Sequence, residues 1–266
     1  SASGERKSLE YRLFQELRDA VAAERERFAA MASLLAELDV WQGLAECARL
    51  WEWACPDLHG GMDIHIQGGR HPAVEASQGR ADYIPNDLHL DASSRILLIT
   101  GPNMAGKSTV LRQAALISIL AQVGSFVPAQ ECSLGICDRI FTRVGASDNL
   151  AQGQSTFMVE MTETARILRQ ASKRSLVVLD EIGRGTSTFD GLALAWAVVE
   201  DLARKNQEPI RTLFATHYHE LTDLEGKIPG VRNYNIAVKE WQGEIIFLRR
   251  MVPGPADRSY GIEVAK

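Results

Sequence analysis

Apolar positions along the chain change period once. Between residues 5 and 55 they recur at helical spacing, at Leu9, Leu13, Leu17 and Val21 and then at Phe28, Met31, Leu35, Leu38 and Trp41. Charges such as Glu16, Arg18, Glu24, Arg25, Glu26 and Arg27 fill the other face, and only Gly43 interrupts the stretch before Pro56. The pattern predicts one long helix or two in succession with a narrow apolar stripe, an arm over residues 1–58. An ordinary bundle helix is the alternative.

From about residue 62 short β-type runs take over: Ile64–Ile66, Arg95–Thr100, Arg139–Val144, Leu176–Leu179, Thr212–Thr216 and Ile245–Arg249. Helical patterns at 107–122, 156–171 and 190–205 lie between several of them. Strands that alternate with helices predict an α/β domain over residues 59–266, with a mostly parallel sheet covered by helices on both faces. The start and end of this domain read as antiparallel, with Trp241-Gln-Gly-Glu244 a plausible hairpin turn.

Composition narrows the class. Of 266 residues, 45% are hydrophobic, enough for one large domain or one domain plus an appendage. Twenty-nine Lys and Arg stand against 34 Asp and Glu, a net charge of −5, so the chain lacks the overall basic character of a protein that grips DNA through its phosphates. Cys47, Cys55, Cys132 and Cys137 form no CxxC pair and no metal-ligand spacing, and read as reduced, buried thiols. No run approaches the roughly 18 apolar residues of a membrane span, and the polar opening is no signal peptide. These features predict a soluble, cytoplasmic protein.

The chemistry begins where the 95–100 strand runs into Gly101-Pro102-Asn103-Met104-Ala105-Gly106-Lys107-Ser108-Thr109, a match to G-x-x-x-x-G-K-[ST] at every position. The glycines let successive backbone N–H groups turn toward a phosphate, and the following helix adds the positive end of its dipole. Lys107 is expected to reach the β- and γ-phosphates of a nucleotide, and the Ser108 hydroxyl to ligate Mg²⁺. The buried run Leu176–Leu179 then ends in Asp180 and Glu181, two adjacent carboxylates that a core strand cannot use unpaired. Asp180 suits the Mg²⁺ and Glu181 the attacking water, although Glu181 could merely cap the next turn. His217, at the end of Thr212–Thr216, belongs to the same crevice if neighbouring parallel strands converge there; His219 reads as structural.

Several longer stretches resemble the ATPase domain of the MutS family of DNA mismatch-repair proteins. They are Thr100–Thr109, Gly124-Ser-Phe-Val-Pro-Ala129, Asp138–Gly145, Ser155-Thr-Phe-Met-Val-Glu-Met-Thr-Glu163, Asp180–Thr188 and Ala215-Thr-His-Tyr-His-Glu220, in family order from about residue 70 to 262. The resemblance implies an ABC-like P-loop NTPase that binds ATP or ADP with Mg²⁺ and works as a homodimer with two composite sites. Residues before 60 resemble the end of the family's lever helices. On this resemblance the loop Gly183–Asp190, with Gly185, Thr186 and Ser187, crosses to the partner subunit's nucleotide. Ser155 stands where ABC proteins present a signature serine to the partner's γ-phosphate, with a plain helix N-cap as the other reading.

Asn103 is implied to contact the γ-phosphate, or only to tolerate a strained loop. Tyr83 stands where the family places an aromatic ring, commonly Phe, against adenine, with core packing as the alternative; His71 belongs to the same wall. The stretch Asp257–Ile262 matches the family's closing segment, and a helix-turn-helix, the mismatch-reading domain and the clamp are expected to lie outside these residues. DNA is therefore expected to be bound mainly by other domains, and MutL is the expected protein partner. Two further readings stay open: a nucleotide-gated interaction module with little turnover, and a MutS-like paralogue acting in recombination.

Overall fold

The strand Ile96–Thr100 consists of five residues with no solvent exposure, and its side chains alternate between two separate cores. This organisation is seen in a computed structural model of the chain, which describes residues 2–102, 105–144, 156–205, 208–241 and 244–256. The residue contacts divide the chain into two units, Ser1–Leu50 and Trp51–Lys266.

The first unit is helical. Helices α1 (Ala2–Ala23) and α2 (Arg25–Trp51, whose last residue belongs to the second unit) are separated at Glu24, so the second of the two helical expectations holds. Their stripe faces solvent: Leu13, Leu17, Phe28, Leu35 and Trp41 are all more than half exposed. No helix among the described residues is long and apolar enough to cross a membrane.

The second unit carries two sheets. The larger has six strands in the order β10-β9-β4-β8-β7-β6, built from β4 (Ile96–Thr100), β6 (Ile140–Arg143), β7 (Leu176–Asp180), β8 (Arg211–Ala215), β9 (Val231–Trp241) and β10 (Glu244–Pro253). Every neighbouring pair is parallel except β9 and β10, which run antiparallel with Glu244 opposite Trp241. The smaller sheet, order β1-β5-β2-β3, holds β1 (Asp57–His59), β2 (Ile64–Gly69), β3 (Asn86–Leu90) and β5 (Glu131–Gly135); its β2 pairs antiparallel with both neighbours. The expected α/β P-loop architecture, mostly parallel with antiparallel parts at the start and end, therefore holds.

The pleat explains why the parallel strands are apolar without a break. Leu97 and Ile99 of β4, Leu176 and Val178 of β7, and Leu213 and Ala215 of β8 face α4 (Lys107–Gln122), in a core shared with Ile64, Ile66, Leu88 and Leu134 of the smaller sheet. Ile96, Leu98, Val177, Leu179 and Phe214 face the other way, onto α5 (Thr156–Gln170) and α6 (Thr188–Arg204). Helix α4 thus lies between the sheets, and sealing strands on both faces requires hydrophobic residues at every position. The strand order also reverses beside β4, which places the carboxyl ends of β4, β7 and β8 around one crevice.

The sequence pattern differs from the structure in specific places. Cys132 and Cys137 are buried as expected, but Cys47 and Cys55 are exposed. Helix α6 begins at Thr188, because Ser187 is its N-cap: the Ser187 hydroxyl accepts the Asp190 N–H and donates to the Asp190 carboxylate at 2.7 Å. Thr188–Asp190 are therefore the first turn of a helix rather than loop. Strands β1, β3, β5 and β9 and helix α3 (Pro72–Gln78) have no counterpart in the apolar pattern, because they are short or interleaved with polar side chains.

Candidate nucleotide site

The turn after β4 needs two conformations open chiefly to glycine. Gly101 has φ +132° and Gly106, the N-cap of α4, has φ +109°. The turn releases Lys107 and Ser108 as the first residues of α4, directly beyond the strand. Asn103 and Met104 lie outside the described residues.

Lys107 is buried, and its ammonium donates to the carbonyls of Gly101 at 2.6 Å and Pro102 at 3.1 Å, with the Glu181 carboxylate 3.9 Å away. Burial lowers its pKa, an effect that Glu181 and Asp180 oppose. The Ser108 hydroxyl donates to Asp180 Oδ2 at 2.5 Å, although 72 residues separate the two in sequence. The other Asp180 oxygen is buried with no hydrogen-bond partner among the described residues. Burial raises the Asp180 pKa and Glu181 adds to this, while the Ser108 hydrogen bond and Lys107 act the other way. A carboxylate with one buried, unpartnered oxygen, its other oxygen beside a hydroxyl, supplies hard oxygen donors of the kind Mg²⁺ takes alongside water and phosphate, so these residues fit that ion.

Glu181 leaves the strand in a left-handed conformation, φ +55°, with its N–H held by the Ala215 carbonyl of β8 at 2.9 Å. That turn aims its carboxylate back at the phosphate loop, where it meets Lys107 and accepts from Arg184 at 2.8 Å. Beyond it, Gly183 has φ +89° and packs so closely on Gly191 that a Cβ would come within 2.5 Å of the Gly191 carbonyl oxygen. The Gly183 N–H donates to Glu160 of α5 at 2.5 Å, and its carbonyl accepts from the Tyr218 hydroxyl at 3.1 Å.

His217 follows β8 and is exposed, its ring 4.1 Å from that of Tyr218. Partial desolvation lowers its pKa, Glu181 raises it, and Arg184 and Lys107 lower it further. His219 opens a short 3₁₀ helix, His219–Leu224.

A cavity of about 180 Å³ adjoins the phosphate loop, lined among others by Gln78, Tyr83, Ile84, Gly106, Thr109 and Arg249. Tyr83 forms its wall as a buried residue. Its hydroxyl accepts from the His71 N–H at 2.9 Å and donates to Gln113 of α4 at 3.0 Å, while Gln113 reaches the Asn86 carbonyl at 3.2 Å. His71 lies behind this wall, where its imidazole caps α3 by accepting the Val74 N–H. Arg249 enters the cavity from an irregularity in β10, at φ +53°, and Asn86 fastens the flanking backbone by donating to Arg249 O and accepting from Met251 N.

The structure thus brings together Gly101, Pro102, Ala105, Gly106, Lys107, Ser108, Thr109, Asp180, Glu181 and His217 at one end of the larger sheet, with Tyr83 beside them. Gly185 and Ser187 are exposed and Thr186 is half-buried on the loop after Glu181. Ser155 lies outside the described residues. Arg184, Glu160 and Arg249 went unread in the sequence. A helical Glu looks like a solvent face, and nothing local marks the irregularity that aims Arg249.

The family described as MutS domain V matches residues 97–266, which include every one of these strand ends. The chain belongs to the MutS family. It is 74% identical over all 266 residues to a DNA mismatch repair protein MutS of Oleidesulfovibrio alaskensis, and 71% identical over the same length to one of Nitratidesulfovibrio vulgaris. A MutS protein of Lachnoclostridium phytofermentans is 58% identical over 260 residues, 97% of the chain. The matched region is 29% of the first two relatives and 28% of the third, so the chain spans less than a third of their length.

Proposed function

We propose that the chain binds ATP with Mg²⁺ beyond the ends of β4, β7 and β8 and hydrolyses the β–γ phosphoanhydride, as the motor of a MutS-type mismatch-repair protein. The observation that carries this reading is the contact of Ser108 with Asp180, which joins the phosphate loop to the acidic strand end at 2.5 Å.

The roles follow from the chemistry. Backbone N–H groups at the start of α4 and the Lys107 ammonium take the phosphate charge. Ser108 and Asp180 would hold the Mg²⁺, which when bound would neutralise negative charge on the phosphates. Glu181 accepts a proton from the attacking water as the new P–O bond forms and the bond to ADP breaks. His217 hydrogen-bonds the γ-phosphate or that water, and Asn103 belongs to the same set. The cavity beside Tyr83 takes the base.

The site is completed by a second copy. Gly185 and Ser187 are exposed, and Phe189, two residues further on, is 84% exposed, which suits a surface that docks on a partner subunit together with Ser155. In the intact protein, ATP would close the dimer and move the helices over residues 1–58 against DNA held mainly by other domains, with MutL as a protein partner. A second reading, a nucleotide-gated interaction module with little turnover, is favoured by one observation: Arg184 engages the Glu181 carboxylate at 2.8 Å.

Steady-state Mg²⁺–ATP hydrolysis measured against protein concentration separates the readings. A steep rise in rate per subunit is expected for a composite dimer site. ATP binding with no hydrolysis at any concentration would favour the gated module.

A further inference from the structure

Glu160 is a carboxylate on α5 that is only 7% exposed, in a helix whose other acid, Glu163, faces solvent. Burying a charge is costly unless its partners are strong. Its partners are the Gly183 N–H at 2.5 Å and the Arg143 guanidinium at 3.9 Å. Gly183 is two positions beyond Glu181 on the same turn.

We infer that Glu160 is a positioning residue for Glu181, fixing the outgoing side of the turn through the Gly183 N–H. The inference rests on the hydrolytic role of Glu181 given above. Glu181 occupies a left-handed conformation that a non-glycine residue holds only when its surroundings impose it. On the incoming side its own N–H is pinned to Ala215 O at 2.9 Å. On the outgoing side two constraints meet at Gly183: Glu160 takes its N–H, and the Tyr218 hydroxyl takes its carbonyl.

The two constraints differ in kind. The Tyr218 contact is neutral and comes from the residue after His217, so it ties the two strand ends together. The Glu160 contact is charge-assisted, hence the stronger of the two, and Arg143 offsets the buried charge. Without it the Gly183 N–H is left buried with no acceptor. The turn then relaxes toward another conformation, and Glu181 loses the line to Lys107.

The test compares substitutions at Glu160 in the whole 266-residue chain, at the protein concentration of maximal ATPase rate per subunit. Glu160→Ala is expected to lower kcat by roughly tenfold to a hundredfold, the scale of a slightly misplaced catalytic group, with nucleotide Kd within about threefold of the parent. Glu160→Gln retains an oxygen for the Gly183 N–H and is expected to restore kcat to within about threefold. Equal loss in both variants, or no loss in the alanine variant, overturns the assignment. Should Glu160→Ala fail to fold, Glu160→Asp replaces it: the shortened side chain is expected to lose rate where Gln keeps it, and equal rates overturn the inference.

Amide hydrogen exchange at Gly183 supplies a readout independent of turnover. Exchange is expected to speed up about tenfold in the alanine or aspartate variant and to stay near the parent rate in Gln. An unchanged rate overturns the proposal even if the parent chain binds ATP without hydrolysing it, an outcome that would instead count against the hydrolytic reading.

Discussion

Ser108 and Asp180, one at the first turn of α4 and the other at the end of β7, share a hydrogen bond of 2.5 Å. Removing either partner is expected to abolish Mg²⁺-dependent turnover. Asp180→Ala should lower the ATPase rate by at least about a hundredfold, the order of losing a group that stabilises transition-state charge. It should also remove the effect of Mg²⁺ on nucleotide affinity, read by titration with and without the ion.

The same Asp180 makes stability depend on pH in a direction that can be worked out. An unfolded Asp titrates near about 3.9, and burial raises the folded value above that. The folded chain therefore holds more protons between the two values, and stability falls as pH climbs through that window. Asp180→Asn is expected to raise Tm by about 2–4 °C at pH 7 without Mg²⁺ or nucleotide, the shift a gain of about 1 kcal/mol gives a chain of this size. Thermal scans should show the gain disappearing near pH 3. A gain that persists there would mean burial of the charge is not its source.

Glu181→Ala should keep nucleotide affinity within a few-fold and lose about two to four orders of magnitude in single-turnover hydrolysis. Comparable turnover by the variant would remove Glu181 from the mechanism.

His217 should stay neutral to lower pH than an ordinary histidine, because partial desolvation lowers its pKa from 6.5. If it contacts the γ-phosphate or water as the neutral base, the acid limb of kcat/KM lies below pH 6.5, and His217→Asn removes that limb. A limb centred above pH 6.5 would contradict this.

Tyr83→Phe deletes the hydroxyl that bridges His71 and Gln113. A buried N–H left without its acceptor costs about 1–3 kcal/mol, to be read by urea denaturation. ATP affinity should change little, since the ring that faces the cavity remains.

Much of the site was legible because its parts interrupt strong patterns. The helix pattern at 107–122 coincides with α4 to the residue, since the phosphate-loop glycines punctuate its start. Asp180 and Glu181 stand out because an uninterrupted apolar strand stops at charge. Strands β3 and β9 were not legible: Asn86–Leu90 alternates with Asp87 and His89, and Val231–Trp241 carries Arg232, Asn233 and Asn235, so neither builds an apolar run. Glu160 was hidden for a related reason. Its burial follows from α5 lying against the turn after Glu181, a contact between distant segments that leaves no local mark.

The alternation of β7 between two cores also gives each carboxylate an address. Val178 faces α4 and Leu179 faces α5 and α6, so the next position, Asp180, is dealt to the α4 side, where Ser108 waits. Glu181 would be dealt to the opposite side, and its left-handed turn is what brings it back. Either acid can therefore be replaced without displacing the other, but the pair cannot be shifted in register. Deleting Leu176 would deliver Glu181 to the serine and turn Val177, Val178 and Leu179 toward the wrong layer. Strand length, to the single residue, is as much a part of this site as the identity of its acids.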